Sequence, residues 1–273
     1  MAYATMMVHV DPESSSDGRT RLALGLANQF ETILIGAAAK AIPPVVVEGT
    51  VIEAQLSDEE YEALRSCLAR EEGAFRRLTN GSRKPTDWRS GIEPPTDFVA
   101  REARAADLVI IGRDQLSVNL YHSLDPAGLI LRVGRPVLTV PKGVESIDTK
   151  SVLVAWKDTR EARRAVQDSL PFLHEAEKVF IAEVCEAGAE QESRARVLDV
   201  AHYLTHHRIK ATVEIIQYSE TSAAGELIRF AEDNRIDLMV AGAYGHSRLG
   251  EWIFGGVTRD LLKTSPICCL LSH

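Results

Sequence analysis

Short apolar runs alternate with stretches in which apolar residues recur every three or four positions, most regularly from residue 150 onward. Val152–Trp156 is a continuous apolar run, and Arg160–Leu173 carries Ala162, Ala165, Val166, Leu170 and Leu173 at helical spacing. The same pattern predicts strands at Val179–Val184, Thr212–Gln217, Leu238–Ala241 and Ile267–Leu271. Between them it predicts helices at Glu190–His206, Ala223–Asn234 and Val257–Lys263. Strands apolar on both faces and separated by helices point to a parallel sheet covered on both sides.

The pattern repeats. Asp107-Leu-Val-Ile-Ile-Gly112 and Asp237-Leu-Met-Val-Ala-Gly242 are offset by 130 residues, as are Pro136–Val140 and Pro266–Leu270. Met6–Val10 and Val152–Trp156 are offset by 146, so the first half carries about sixteen extra residues, which fall between Ile42 and Ala69. The expectation is two doubly wound five-stranded α/β domains, Rossmann-like in layout, over residues 1–145 and 150–273. The apolar strands Val137–Val140 and Ile267–Leu271 read as sheet edges, and exposed apolar edges invite pairing. A homodimer is left open.

Composition narrows the function classes. Lys and Arg number 31 against 39 Asp and Glu, a net charge of −8, and no basic tract occurs, which argues against nucleic acid or an anionic membrane as partner. No uncharged run approaches the ~20 residues of a membrane helix. The apolar start, Met1–Val10, runs straight into Asp11-Pro12 and reads as a strand rather than a leader. The four cysteines lack metal or CxxC spacing and suit a reducing cytoplasm.

In doubly wound sheets ligands bind beyond the carboxyl ends of the strands where strand order reverses. The second copy places Gly242-Ala-Tyr-Gly245-His246-Ser247 there, followed by Gly255-Gly256-Val257-Thr258 at a helix start. Glycines admit close backbone approach, and free N–H groups at a helix start suit phosphate. The chain has neither a Walker A loop nor GxGxxG, but a G-x2-G-x9-G spacing on Gly242, Gly245 and Gly255. That spacing, with the Val-Ala-Trp strand end and the closing Ser-Pro strand, resembles the ATP-binding signature of universal stress protein domains. The resemblance spans the chain as a tandem pair, and it implies an intramolecular pseudo-dimer in which the edges Val137–Val140 and Ile267–Leu271 meet.

The resemblance implies an adenine nucleotide held by Ala155, Trp156, Lys157, Asp158, Val184, Gly242, Gly245, His246, Ser247, Gly255, Gly256, Val257 and Thr258. ATP is the expected ligand, with AMP, ADP and an accompanying Mg²⁺ left open. Two positions depart from the family pattern. Gly256 replaces a hydroxyl residue, and Lys157 stands where the family has an acid, with Asp158 one place on. Asp158 and Glu161 also read as a capping box at a helix start. A bulky side chain at Gly245 is expected to block phosphate while sparing the unliganded fold.

No nucleophile–base set, GxSxG elbow or HExxH occurs, so no enzymatic turnover beyond slow, incidental ATP hydrolysis is expected. His206-His207 reads as a solvated helix end, and the acidic Asp58-Glu59-Glu60 as a solvated face. By the 130-residue offset, the first copy puts Gln115 in place of Gly245 and Asp125-Pro126 in place of Gly255-Gly256. Its site is therefore degenerate, although Asp11 keeps the acid. The reading is a cytoplasmic stress-response sensor or regulator that binds nucleotide in its C-terminal half. The rival is an interaction or scaffold protein of the same fold that binds none, with an unidentified protein partner in either case.

Overall fold

A computed structural model of the chain describes residues 3–42, 45–47, 50–52, 57–113, 123–218, 222–245 and 256–273. The described residues divide into two compact units.

The first unit comprises residues 3–133 with 142–146. It runs β1 (Thr5–His9), α1 (Asp17–Gln29), β2 (Ile33–Ala39), β3 (Val45–Val47), β4 (Thr50–Ile52), α2 (Asp58–Leu78), β5 (Thr86–Gly91), α3 (Pro95–Glu102), a 3-10 turn (Ala103–Ala105), β6 (Leu108–Gly112) and α4 (Pro126–Arg132). Its main sheet is parallel in the order β6-β1-β2-β5. The inserted stretch holds a feature the apolar pattern did not predict, the antiparallel hairpin β3–β4. Helix α2 follows, opened by a reciprocal box in which Ser57 and Glu60 each accept the other's backbone N–H.

The second unit comprises residues 147–273 together with 134–141. It runs β7 (Val137–Val140), β8 (Ser151–Ala155), α5 (Arg160–Glu175), β9 (Lys178–Cys185), α6 (Glu190–His206), β10 (Thr212–Gln217), α7 (Ala223–Asp233), β11 (Leu238–Gly242), α8 (Gly256–Thr264) and β12 (Cys268–Ser272). The sheet order is β10-β9-β8-β11-β12-β7, parallel except where β7 runs antiparallel to β12. The fifth strand of the first sequence half thus lies in this unit's sheet, with Val137, Leu138 and Thr139 opposite Leu271, Leu270 and Cys269. The chain steps outward from β8 to β9 and β10, then returns to β11 on the other side of β8. The order therefore reverses between β8 and β11.

The repeated aspartates have one job each, and it is the same job. Asp107 Oδ2 accepts the N–H groups of Ala4 and Thr5 at 2.8 and 3.1 Å, fastening the start of β1. Asp237 Oδ2 accepts those of Lys150 and Ser151 at 2.9 and 2.8 Å, fastening the start of β8. In a parallel sheet these leading N–H groups have no ladder partner, so the carboxylate supplies one. Helix α5 starts one residue later than the Asp158–Glu161 box requires. Its N-cap is Thr159, whose Oγ1 accepts Ala162 N–H at 3.3 Å, while Asp158 turns out to pair with Arg163.

Candidate functional site

The carboxyl ends of β8 and β11 open onto a cavity of about 370 Å³, within the range of small-molecule sites. Ala155, Trp156 and Lys157 enter it from the end of β8, and Val184 from β9. Gly242 enters at the end of β11 and Gly245 after it, and Gly256, Val257 and Thr258 from the first turn of α8. Nine of the residues singled out in the sequence thus line one cavity. Asp158 does not: it pairs with Arg163 at 2.5 Å and lines a separate groove between α5 and α6. His246, Ser247 and Gly255 lie outside the described residues. Seven lining residues were not among the expected site residues, namely Thr159, Ala162, Tyr218, Ala223, Leu227, Ala241 and Tyr244. Tyr218 had a signal in the sequence, since it directly follows a strand that ends at the ligand-binding edge of the sheet.

The two glycines of the turn are packed hard against the first turn of α5. A Cβ on Gly242 would lie 2.5 Å from Ala162 N and 2.7 Å from the Glu161 carbonyl carbon. Only glycine lets the end of β11 approach that backbone. At Gly245 a Cβ would lie 2.8 Å from Glu161 Oε2 and 3.2 Å from Thr159 Oγ1. Glu161 is 3% exposed, so its carboxylate can make way only by shifting within the packed interior. Burial pushes its pKa up; the Arg160 guanidinium, its own helix-start N–H and the Thr159 hydroxyl outweigh that and leave it below the usual carboxylate range. The expectation that a side chain at Gly245 would spare the unliganded fold is therefore corrected. A side chain there displaces the Glu161 carboxylate and presses on Thr159 before any ligand arrives.

Gly256 is the opposite case. As the first residue of α8 it has nothing within 4 Å of an added Cβ among the described residues. Tyr244 adopts the left-handed conformation (φ 57°), which turns the chain between the two glycines. Thr258, buried on α8, accepts Tyr244 N–H on Oγ1 at 3.2 Å and ties this turn to the helix. Among the described lining residues Lys157 is the single charged side chain, and it is exposed. Trp156 is buried, and its indole N–H has no hydrogen-bond partner among the described residues. The walls are otherwise small, aliphatic, aromatic or threonine side chains. The cavity therefore offers one cation, backbone N–H groups and flat apolar surface.

The corresponding place in the first unit is filled differently. By the 146-residue offset His9 stands where Ala155 stands, and Arg19 where Ala165 stands. Both are buried, with Arg19 donating to His9 O and to Ser16 Oγ at 2.8 and 2.7 Å. Burial and the adjacent Arg19 lower the His9 pKa to about 3, so the imidazole is neutral. The Asp11 carboxylate is engaged locally, accepting Glu13 N–H and the Ser14 hydroxyl at 2.9 Å each. Asp125 caps α4 by accepting Ala127 N–H at 3.0 Å, ahead of Pro126. Gln115 lies outside the described residues. Among the described residues no group of three His, Cys, Asp or Glu side chains could hold a metal, and no helix is long and apolar enough to cross a membrane.

Residues 148–273 match the model of the universal stress protein family. Universal stress protein Slr1230 of Synechocystis sp. (strain ATCC 27184 / PCC 6803 / Kazusa) is 27% identical over 140 residues, which cover 51% of this chain. The match takes in 47% of that relative, so the chain spans about half its length. A universal stress protein from Archaeoglobus fulgidus DSM 4304 superposes with a TM-score of 0.73 over 98% of this chain and 97% of its own, at 14% identity. The functionally unknown protein PA1789 of Pseudomonas aeruginosa PAO1 gives 0.58 over 99% and 92%, at 15% identity. At such identities the likeness is one of fold: an α/β fold with a mostly parallel sheet, the Rossmann-like fold of universal stress proteins.

Proposed function

We propose that the unit formed around residues 148–273 binds an adenine nucleotide, ATP foremost, and that the chain acts as a stress-response sensor through its nucleotide-dependent shape. The observation that carries this reading is the convergence of Ala155, Trp156, Lys157, Val184, Gly242, Gly245 and the first turn of α8 on one cavity at the switch point of the sheet. In this reading the phosphates lie against the α8 N-terminus near Gly256, whose N–H groups lack helical partners and carry partial positive charge. Lys157 supplies the compensating full charge. The base lies toward Val184, Leu227 and Tyr218. Any Mg²⁺ comes in on the phosphates, since the cavity's described side chains include no carboxylate or imidazole. Among the described lining residues there is likewise no base to activate water, which favours binding over hydrolysis as the proposed activity.

We further read the chain as a tandem duplication in which only the second copy kept the phosphate side. The paired roles of Asp107 and Asp237 support the duplication. The loss in the first copy is supported by buried His9 and Arg19 and by the capping role of Asp125. The test is mass spectrometry of ligand gently released from the purified protein, joined to calorimetric titration of the stripped protein with ATP. Adenine nucleotide at one per chain is expected. No released nucleotide and no heat with ATP would leave a scaffold of the same fold.

A further inference from the structure

Tyr218 is 49% exposed, and with Val257 it is one of the few large hydrophobic residues of the second unit left open to solvent. Both stand on the cavity described above. An aromatic ring at a solvent boundary usually swings freely, but this one is held at both ends. Its backbone N–H continues the ladder past the end of β10, donating to Cys185 O at 2.8 Å. Its phenol oxygen accepts the Ala223 N–H at the start of α7, at 3.1 Å. That bond satisfies one of the helix's leading N–H groups, beside the Ser222 cap that takes Gly225 N–H. The phenol's own proton has no acceptor among the described residues, and the ring is locked across the β9–β10 side of the cavity. A tethered, half-exposed ring lining the same cavity as Val257 is a surface awaiting a flat partner.

Resting on the nucleotide reading, we infer that Tyr218 is the base-side wall of the site and sets affinity for the ligand's aromatic ring, without touching its phosphates. A base packed on such a ring loses roughly tenfold or more in affinity when the ring is removed. The experiment titrates parent, Tyr218→Ala, Tyr218→Leu and Tyr218→Phe with ATP and with inorganic tripolyphosphate, which has the charge but no base. Tyr218→Ala and Tyr218→Leu are expected to weaken ATP about tenfold while leaving tripolyphosphate within twofold of parent. Tyr218→Phe keeps the ring and is expected to recover most of the ATP affinity. Should parent bind ATP and Tyr218→Ala and Tyr218→Leu bind it equally well, the inference fails and the nucleotide reading stands. Equal losses for ATP and tripolyphosphate would reduce Tyr218 to a structural support and also overturn it. Failure of parent to bind ATP at all removes the nucleotide reading and this inference together.

Discussion

Adding a single methyl group at Gly245 isolates the packing of the turn from any effect on ligand. The new Cβ would stand 2.8 Å from Glu161 Oε2 and 3.2 Å from Thr159 Oγ1. A relaxed carbon–oxygen contact is ~3.5 Å, so an overlap of more than half an ångström must be relieved. Glu161 is buried on the first turn of α5 and Thr159 is that helix's cap, so relief must come from shifting a buried carboxylate or from the cap. Overpacking of this kind costs about 1–3 kcal/mol. Taking about 2 kcal/mol, Gly245→Ala should lower Tm by roughly 4–8 °C without ligand. Gly256→Ala, with nothing within 4 Å among the described residues, should leave Tm unchanged or raise it. Thermal unfolding by circular dichroism reads both. The double variant Gly245→Ala with Glu161→Ala removes the obstructing oxygen, so its loss should fall short of the sum of the singles by about 1 kcal/mol or more. Additivity within about 0.5 kcal/mol, or an unchanged Tm for Gly245→Ala, would refute the packing argument.

Other outcomes follow from the same geometry. Gly256→Ser adds a hydroxyl at the α8 start and should tighten ATP about fivefold, one neutral hydrogen bond's worth, by calorimetry. Gly256→Asp puts a carboxylate there and should weaken ATP at least ~tenfold; no change in either variant would move the phosphates elsewhere. Calorimetry should return one ATP per chain, and two sites would contradict the filled first copy. His9 titrates at about 3 in the fold against 6.5 ordinarily, so between those values the unfolded chain binds the extra proton and stability falls as pH falls. From pH 7 to pH 5 that loss is about 2 kcal/mol, and His9→Gln should remove it. Urea midpoints at the two pH values that shift equally in variant and parent would deny His9 this role.

The second unit was the more legible half because its strands are apolar on both faces and its helices keep strict spacing. Helix Glu190–His206 and strand Thr212–Gln217 match their sequence bounds. The hairpin β3–β4 escaped notice because three-residue strands leave no period to detect. The cavity's glycines were legible, but their partner was not. Spacing marks where backbone comes close to something, and here that something is the first turn of α5 as well as any ligand. Asp158 was misplaced because one residue of helix phase decides whether a side chain caps, pairs or faces the cavity. Here Thr159 took the cap and Arg163 took Asp158. Tyr218 was overlooked because its tether to Ala223 joins the two ends of a loop, which no periodicity reports.

The antiparallel pairing of β7 with β12 also sets a clock. Thr139 Oγ1 donates to Cys269 O across 130 positions of chain, so the edge of β7 that β12 covers stays open while everything between them is being synthesised. At ribosomal rates of roughly 5–20 residues per second, that interval lasts on the order of ten seconds. Throughout it the nascent chain presents an apolar strand edge of the sort that recruits other strands. Termination or proteolysis anywhere before Cys268 would make that exposure permanent. Shortened products of this chain should therefore clump or be cleared rather than persist as half-molecules.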